Sequence, residues 1–302
     1  MSSGAIETFG LTRDYSEVRA LDSLSLRVEV GEIFGFLGPN GAGKTTTIRL
    51  LLDLIRPTAG RAAIMGFDCQ RQSLETRRRT GYLPGDLNLY EGMNGDAFLN
   101  FFASLQPDRI DPAYRNKLVE RLDLDLSKPA RALSKGNRQK LGIVQALMHR
   151  PEVLILDEPT AGLDPLVQHE VLHMLEDFAA EGRSVFFSSH ILSEVERICH
   201  RVGIIRSGRL VTVEDVAKLR QRSFSILEVT FAEPVPEDLF DLPGVEVVSV
   251  RDSTVRMHVR RNLDEVVKRA ARSTVVGLHT EQPTLEDVFL AYYEEPTKGQ
   301  RA

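Results

Sequence analysis

Eight consecutive residues carry the strongest chemical signal in this sequence: Gly38-Pro39-Asn40-Gly41-Ala42-Gly43-Lys44-Thr45 fit the spacing G-x-x-x-x-G-K-[ST] at every position. Glycines in such a run let backbone N–H groups curl inward around an anion, where side chains would collide. An apolar stretch at 32–37 precedes the run and a helix-period stretch at 44–55 follows it. The helix therefore points the positive end of its dipole at the same anion. Lys44 suits the β- and γ-phosphates of a nucleoside triphosphate, and the Thr45 hydroxyl suits a magnesium ion. Gly38, Asn40, Gly41, Gly43, Lys44, Thr45 and Thr46 form the expected nucleotide-binding set.

A second constellation lies more than a hundred residues downstream. Val153-Leu154-Ile155-Leu156-Asp157-Glu158 reads as a short buried strand ending in two carboxylates. The strand delivers Asp157 to the end of a sheet as the second magnesium ligand. Glu158, next in line, can orient or deprotonate an attacking water. Alone this pattern is weak, because many buried strands end in a solvated acidic turn. Joined to Lys44, it defines a nucleoside-triphosphatase.

The elements that must position these residues follow from periodicity. Residues 6–11 and 24–30 read as antiparallel strands, and Arg56-Pro57-Thr58-Ala59-Gly60 as the turn that stops the first helix. From about 94 to 148 the pattern is helical, an insertion punctuated by Pro107, Pro112 and Pro129. Beyond Glu158 come a helix at 166–180, a strand at 184–188, a helix to about Cys199 and a strand at 202–205. Strands alternating with helices imply an α/β fold with a parallel sheet covered on both faces. The character changes after 220: strands at 226–231, 245–250, 255–259 and 275–280, with helices at 263–272 and 285–293, read as a small α+β domain of the split β-α-β kind. The expected domains are therefore 1–219 and 223–302, the last residues forming a frayed tail.

Bulk composition narrows the function classes. A net charge of −5 argues against a nucleic-acid binder, and the basic cluster Arg71, Arg77, Arg78 and Arg79 reads as a solvated helix face. The two cysteines, Cys69 and Cys199, lack metal-ligand spacing and fit free thiols in a reducing compartment. Cys199 closes the amphipathic pattern Ile191, Leu192, Val195, Ile198 and reads as packing. The start, MSSGAIETFG, lacks the basic and apolar regions of a signal peptide. No apolar run approaches the ~20 residues of a membrane span, so membrane work requires a separate partner.

Three further motifs make the resemblance specific. Leu133-Ser134-Lys135-Gly136-Asn137-Arg138-Gln139 resembles the ABC signature sequence. Pro159-Thr160-Ala161-Gly162-Leu163-Asp164 resembles the D-loop of the same family, and Ser188-Ser189-His190 its switch-histidine segment. Tyr15 resembles the aromatic residue that stacks on adenine. These motifs stand in family order over roughly residues 6 to 210, and the chain resembles the nucleotide-binding subunit of an ABC transporter. The resemblance implies a P-loop NTPase core of ABC ATPase type, with an antiparallel β subdomain and a helical subdomain, that binds ATP and Mg2+. It implies that Ser134, Gly136 and Gln139 serve ATP held on a second ATPase subunit, most simply another copy of this chain. His190 would sense the γ-phosphate, and Asp164 would link the two sites. It implies a separate transmembrane permease and a peripheral place on the cytoplasmic face of the membrane. The LS-x-G form, the Gly81-Tyr82-Leu83-Pro84-Gly85 loop and Thr284-Leu285-Glu286-Asp287-Val288-Phe289 are similar to bacterial drug and antibiotic exporters.

One departure stands out. The family places glutamine where this chain has Gly85, followed by Asp86. Asp86 or Asn88 substitutes for that side chain, or coupling runs through the backbone; the stretch 86–95 remains the expected dock for a membrane subunit. Two other functions compete: a non-transport ABC ATPase acting as a mechanical switch on a soluble complex, and a regulatory module that binds ATP with negligible turnover. The first lacks paired cassettes or coiled-coil insertions here; intact Glu158 and His190 oppose the second.

Overall fold

Alternating buried and exposed side chains build the first two strands, β1 (Ile6–Tyr15) and β2 (Val18–Val28). They pair antiparallel as far as Tyr15 opposite Val18, across a tight turn in which Ser16 takes φ 51°. Both run longer than periodicity predicts, because the hairpin continues through polar residues to that turn. The wholly buried β3 (Ile33–Leu37) then leads through the glycine loop into α1 (Lys44–Leu51). This helix is shorter than expected: Asp53 adopts φ 54°, which ends the ladder ahead of Pro57. β4 (Ala59–Ile64) and β5 (Phe67–Asp68) complete a four-stranded antiparallel sheet ordered β2-β1-β4-β5. The computed structural model describes residues 4–90, 92–106, 110–218, 225–234 and 237–281.

The helix α2 (Ser73–Arg78) and the strand β6 (Thr80–Leu83) follow. Two of the clustered arginines are ion-paired: Arg78 and Arg79 meet Glu75 at 3.1 and 2.8 Å, and the Arg79 guanidinium lies over the Phe67 ring. The helical insertion consists of α3 (Gly95–Ser104), α4 (Pro112–Arg121), a 3-10 turn at Ala130–Ala132 and α5 (Lys135–Leu147). Asn94, Asp111 and Ser134 each accept a backbone N–H at the start of α3, α4 and α5, which is why the insertion breaks where it does.

Next come β7 (Val153–Asp157), α6 (Pro165–Ala180), β8 (Ser184–Ser189), α7 (Leu192–Ile198), β9 (Arg201–Arg206) and β10 (Arg209–Asp215). Six strands form one sheet ordered β10-β9-β3-β8-β7-β6. β3, β7 and β8 are buried along their whole length, and Phe34, Phe36 and Phe186 stack across β3 and β8 with centroids 5.9 and 5.3 Å apart. The sheet is not wholly parallel. β10, absent from the strands expected by periodicity, returns antiparallel on β9 through Ser207 (φ 47°) and Gly208 (φ 77°). Two successive left-handed residues make the hairpin turn whose twist suits such a return, and the Ser-Gly pair is its sequence signal.

The chain divides into two compact units, Met1–Asp215 and Val216–Ala302. In the second, β11 (Ser225–Phe231), a 3-10 turn at Glu237–Phe240, β12 (Val245–Arg251), β13 (Thr254–Val259), α8 (Leu263–Ala270) and β14 (Val275–Glu281) follow in order. The sheet order is β12-β13-β11-β14, antiparallel throughout, which is the split β-α-β arrangement with its first helix reduced to a single turn. Leu227, Val229, Met257 and Val266 form its core. The expected helix at 285–293 lies outside the described residues. Among the described residues no helix is long and apolar enough to cross a membrane.

Cys69 and Cys199 are both buried free thiols. Burial pushes the Cys69 thiol up to about 12 and raises that of Cys199 as well. A thiolate-selective disulfide reagent at pH 8 should therefore label neither cysteine in the folded protein and both in urea; rapid labelling without denaturant would contradict this packing.

Candidate nucleotide site at the strand ends

Parallel pairing decides where the chemistry gathers. β8 lies between β3 and β7, with Leu37 opposite Ser189 and Asp157 opposite Ser188. The residues that follow β3, β7 and β8, namely Gly38, Glu158 and His190, therefore leave the same edge of the sheet, where open α/β sheets bind ligands. Two loop glycines are required by space as well as by chain direction. A Cβ on Gly38 would stand 2.5 Å from the Ile205 carbonyl oxygen, and one on Gly43, which has φ 110°, 2.8 Å from that of Ala20.

Lys44 is 6% exposed, and its ammonium donates to the carbonyls of Gly38 at 2.6 Å and Pro39 at 3.2 Å. Glu158 Oε1 lies 3.8 Å from the same nitrogen. Burial pushes the Lys44 ammonium down from its ordinary value, and the charges of Glu158 and Asp157 partly offset that. Asp157 has both oxygens engaged: the Thr45 hydroxyl donates to Oδ2 at 2.7 Å and the Ser188 hydroxyl to Oδ1 at 2.5 Å. Thr45 and Asp157 thus present adjacent hard oxygen donors, a set that fits Mg2+.

Glu158 departs from strand geometry, with φ 51°. Its N–H donates to the Ser188 carbonyl and hydroxyl, each at 3.2 Å, and its carboxylate meets His190 Nδ1 at 3.1 Å. Asn40, Gly41, Gly43, Lys44, Thr45, Thr46 and Glu158 line one cleft, so seven expected residues come together there.

Ser134, Gly136 and Asp164 do not line that cleft. Ser134 caps α5 through Asn137 N–H at 3.2 Å, and Asp164 caps α6 through Val167 N–H at 3.1 Å; both are exposed. The two caps sit beside each other, since a Cβ on Gly136 would lie 3.1 Å from the Gly162 carbonyl. Gln139, expected to serve the nucleotide, turns inward instead. It is buried, and its amide donates to the carbonyls of Glu158 and Pro159, both at 3.0 Å, bracing the turn after β7. In this chain by itself the Gln139 amide therefore acts as a brace for that turn. Tyr15 ends β1 partly exposed, with the Arg13 guanidinium 4.5 Å above its ring.

Sequence reasoning missed Ser188 as a holder of Asp157, and it missed Glu194. That residue is a carboxylate on the buried stripe of α7, between Ile191 and Ile198, and its misfit with an apolar pattern was the available signal. Gly85 lies against the Asp157 carboxylate: a Cβ there would stand 3.4 Å from Asp157 Oδ2, ordinary contact. Asp86 and Asn88 are exposed.

A glycine loop wrapped around a buried lysine, and a Thr–Asp pair with a neighbouring Glu and His, define a P-loop nucleoside-triphosphatase. The family model described as ABC transporter matches residues 21–161, and one described as an AAA domain matches 127–196. "Bacitracin transport ATP-binding protein BcrA" of Bacillus licheniformis is 36% identical over 85% of this chain and 85% of its own length. "Daunorubicin resistance ATP-binding protein DrrA3" of Streptomyces coeruleorubidus is 33% identical over 96% of each chain. A solved structure described as "Structure of ATP binding subunit of ABC transporter" is similar with TM-score 0.66 and 30% identity, over 72% of this chain and 92% of that one. The chain belongs to the ABC transporter ATP-binding family, and is an ATPase of the ABC type.

Position 85 gives a direct test of the metal side of the site. Gly85 lies outside the left-handed region, so Gly85→Gln should fold with stability within about 0.5 kcal/mol of wild type. Its carboxamide would stand beside Asp157, and the Mg2+ concentration for half-maximal ATP hydrolysis should fall. An unchanged Mg2+ dependence would separate position 85 from the metal.

Proposed function

We propose that this chain is the ATP-hydrolysing subunit of a membrane exporter of the drug and antibiotic type, working as a pair of copies beneath a separate transmembrane permease. The observation that carries the pairing is the split between the cleft around Lys44 and the exposed Ser134 and Asp164, with the half-buried Gly136 beside them. Each copy holds the phosphate-binding half of a site in one place and the signature half in another. A second copy brings the missing half, with the start of α5 aiming N–H groups and its dipole at the γ-phosphate. The assembly is a symmetric dimer with two composite sites.

Each residue then has a task. Tyr15, backed by Arg13, stacks on the adenine. The loop N–H groups and Lys44 hold the phosphates, Lys44 exchanging carbonyl partners for phosphate oxygens. Thr45 and Asp157 hold Mg2+, which neutralises charge on the phosphates when bound. Glu158 takes a proton from the attacking water at its carboxylate, and His190, in contact with it, orients that carboxylate and meets the γ-phosphate. Loss of phosphate removes the anion that joins the copies, and the clamp reopens.

Residues 1–219 do this work; residues 223–302 form an accessory α+β domain. Docking of the permease falls on the segment after Gly85, on the cytoplasmic face of the membrane. There Tyr90 and Phe101 meet edge to face, and both are exposed together with Leu105, an apolar patch that a membrane subunit would cover. The names of the bacitracin and daunorubicin relatives support export; the cargo is set by the permease. Purification of the tagged protein from mildly solubilised membranes tests the reading. A polytopic membrane protein in near-equal amount is the expected companion. Recovery with ribosomes or DNA, or as a soluble dimer alone, would overturn it in favour of the mechanical switch.

A further inference from the structure

Glu194 has no task in the site as assigned, yet it is a carboxylate only 5% exposed. Burying an ionisable group is costly unless hydrogen bonds satisfy it. Here two hydroxyls do so: Thr160 donates to Oε1, and Ser189 donates to Oε2 at 2.9 Å. The sense of the second bond is fixed by its surroundings. Ser189 Oγ already accepts the Ile191 N–H at 2.9 Å, and its single proton goes to Glu194, nearer than the Ile191 carbonyl at 3.3 Å. An ionised carboxylate accepts only, which suits two donors facing each other across it.

The positions of those donors give the contact its meaning. Thr160 follows Glu158 by two residues and Ser189 directly precedes His190. Glu158 and His190 meet at 3.1 Å on the cleft side, and Glu194 joins the same two loops from the core side. The loop after β7 is thereby tied to the end of β8 and the residue that follows it at two points, one of them on the cleft side. We infer that Glu194 is a positioning residue: by fixing Thr160 against Ser189, it sets the contact between the Glu158 carboxylate and the His190 imidazole. It touches neither nucleotide nor attacking water. It also joins the segment leading to Asp164 to the histidine, so that a partner copy pressing on Asp164 moves both. This rests on the proposed roles of Glu158 and His190.

The test measures kcat, the affinity for a fluorescent ATP analogue and the melting temperature of the full-length protein. Glu194→Ala, Glu194→Gln, Thr160→Val and, as control, Glu158→Gln are compared with wild type. Glu194→Ala should lower kcat about tenfold or more, a loss of transition-state stabilisation, with nucleotide affinity within about threefold of wild type. Glu194→Gln keeps an acceptor for Thr160 and can donate to Ser189, and should recover most of that loss. Thr160→Val, which nearly preserves volume, should lower kcat without weakening nucleotide binding, and decides the matter if Glu194→Ala does not fold. A merely structural Glu194 would lower melting temperature while leaving kcat per folded molecule unchanged, and that result overturns the inference. So does a Glu194→Gln protein as slow as Glu194→Ala. If Glu158→Gln turns over at the wild-type rate, the reading of the site itself fails. If it is inactive while Glu194→Ala and Thr160→Val match wild type, only the positioning role fails.

Discussion

A buried ammonium is the constraint on which the rest of this structure depends. Lys44 lies within the protein with two backbone carbonyls as direct partners and the carboxylates of Asp157 and Glu158 nearby. Taking such a charge out of water is costly unless compensating groups converge on it. The glycine loop lets the chain wrap around the ammonium, with Gly38 and Gly43 clearing the backbones of Ile205 and Ala20. The parallel pairing of β3, β8 and β7 brings the compensating carboxylates from far along the sequence to the same edge. A cation so placed is a phosphate receptor, since a phosphate oxygen is a better partner than either carbonyl.

The corner after β7 is the second consequence. Glu158 stands at φ 51°, a conformation that costs a non-glycine residue about 1–2 kcal/mol. Ser188, Gln139 and, through Thr160, Glu194 each supply a bond that holds the corner. They come from β8, α5 and α7, so three elements agree on where one carboxylate points. Strained backbone held by its surroundings is a recurrent feature of functional sites. Here it turns the Glu158 carboxylate toward Lys44 and His190 and away from the strand's own direction.

Much of this was legible in the sequence, and the boundary of legibility has physical reasons. Local patterns specify what local physics controls: the glycine loop, the buried β7 run, the caps at Ser134 and Asp164, and the change of character after residue 220. Residues acting through distant partners were harder to read. Gln139 sits inside a motif associated with a nucleotide, but only the fold brings it beneath Glu158. Ser188 is one hydroxyl among many until β8 is placed beside β7. Glu194 left a trace, a charge on an apolar stripe, whose meaning required Thr160 and Ser189. The missed β10 and the overlong helix at 44–55 share one cause: left-handed residues at Ser207 and Asp53 decide where the chain turns, and neither type demands it.

A site completed by a second copy of the chain is tested most directly by subunit mixing. Lys44→Ala and Gly136→Glu proteins should each be inactive alone, because each disables one half of both sites. Mixed in equal amounts, they should recover up to about a quarter of wild-type ATP hydrolysis, since half of the symmetric pairs are mixed and each holds one intact composite site. A mixture as inactive as its parents, when exchange of subunits is verified, would contradict the composite site.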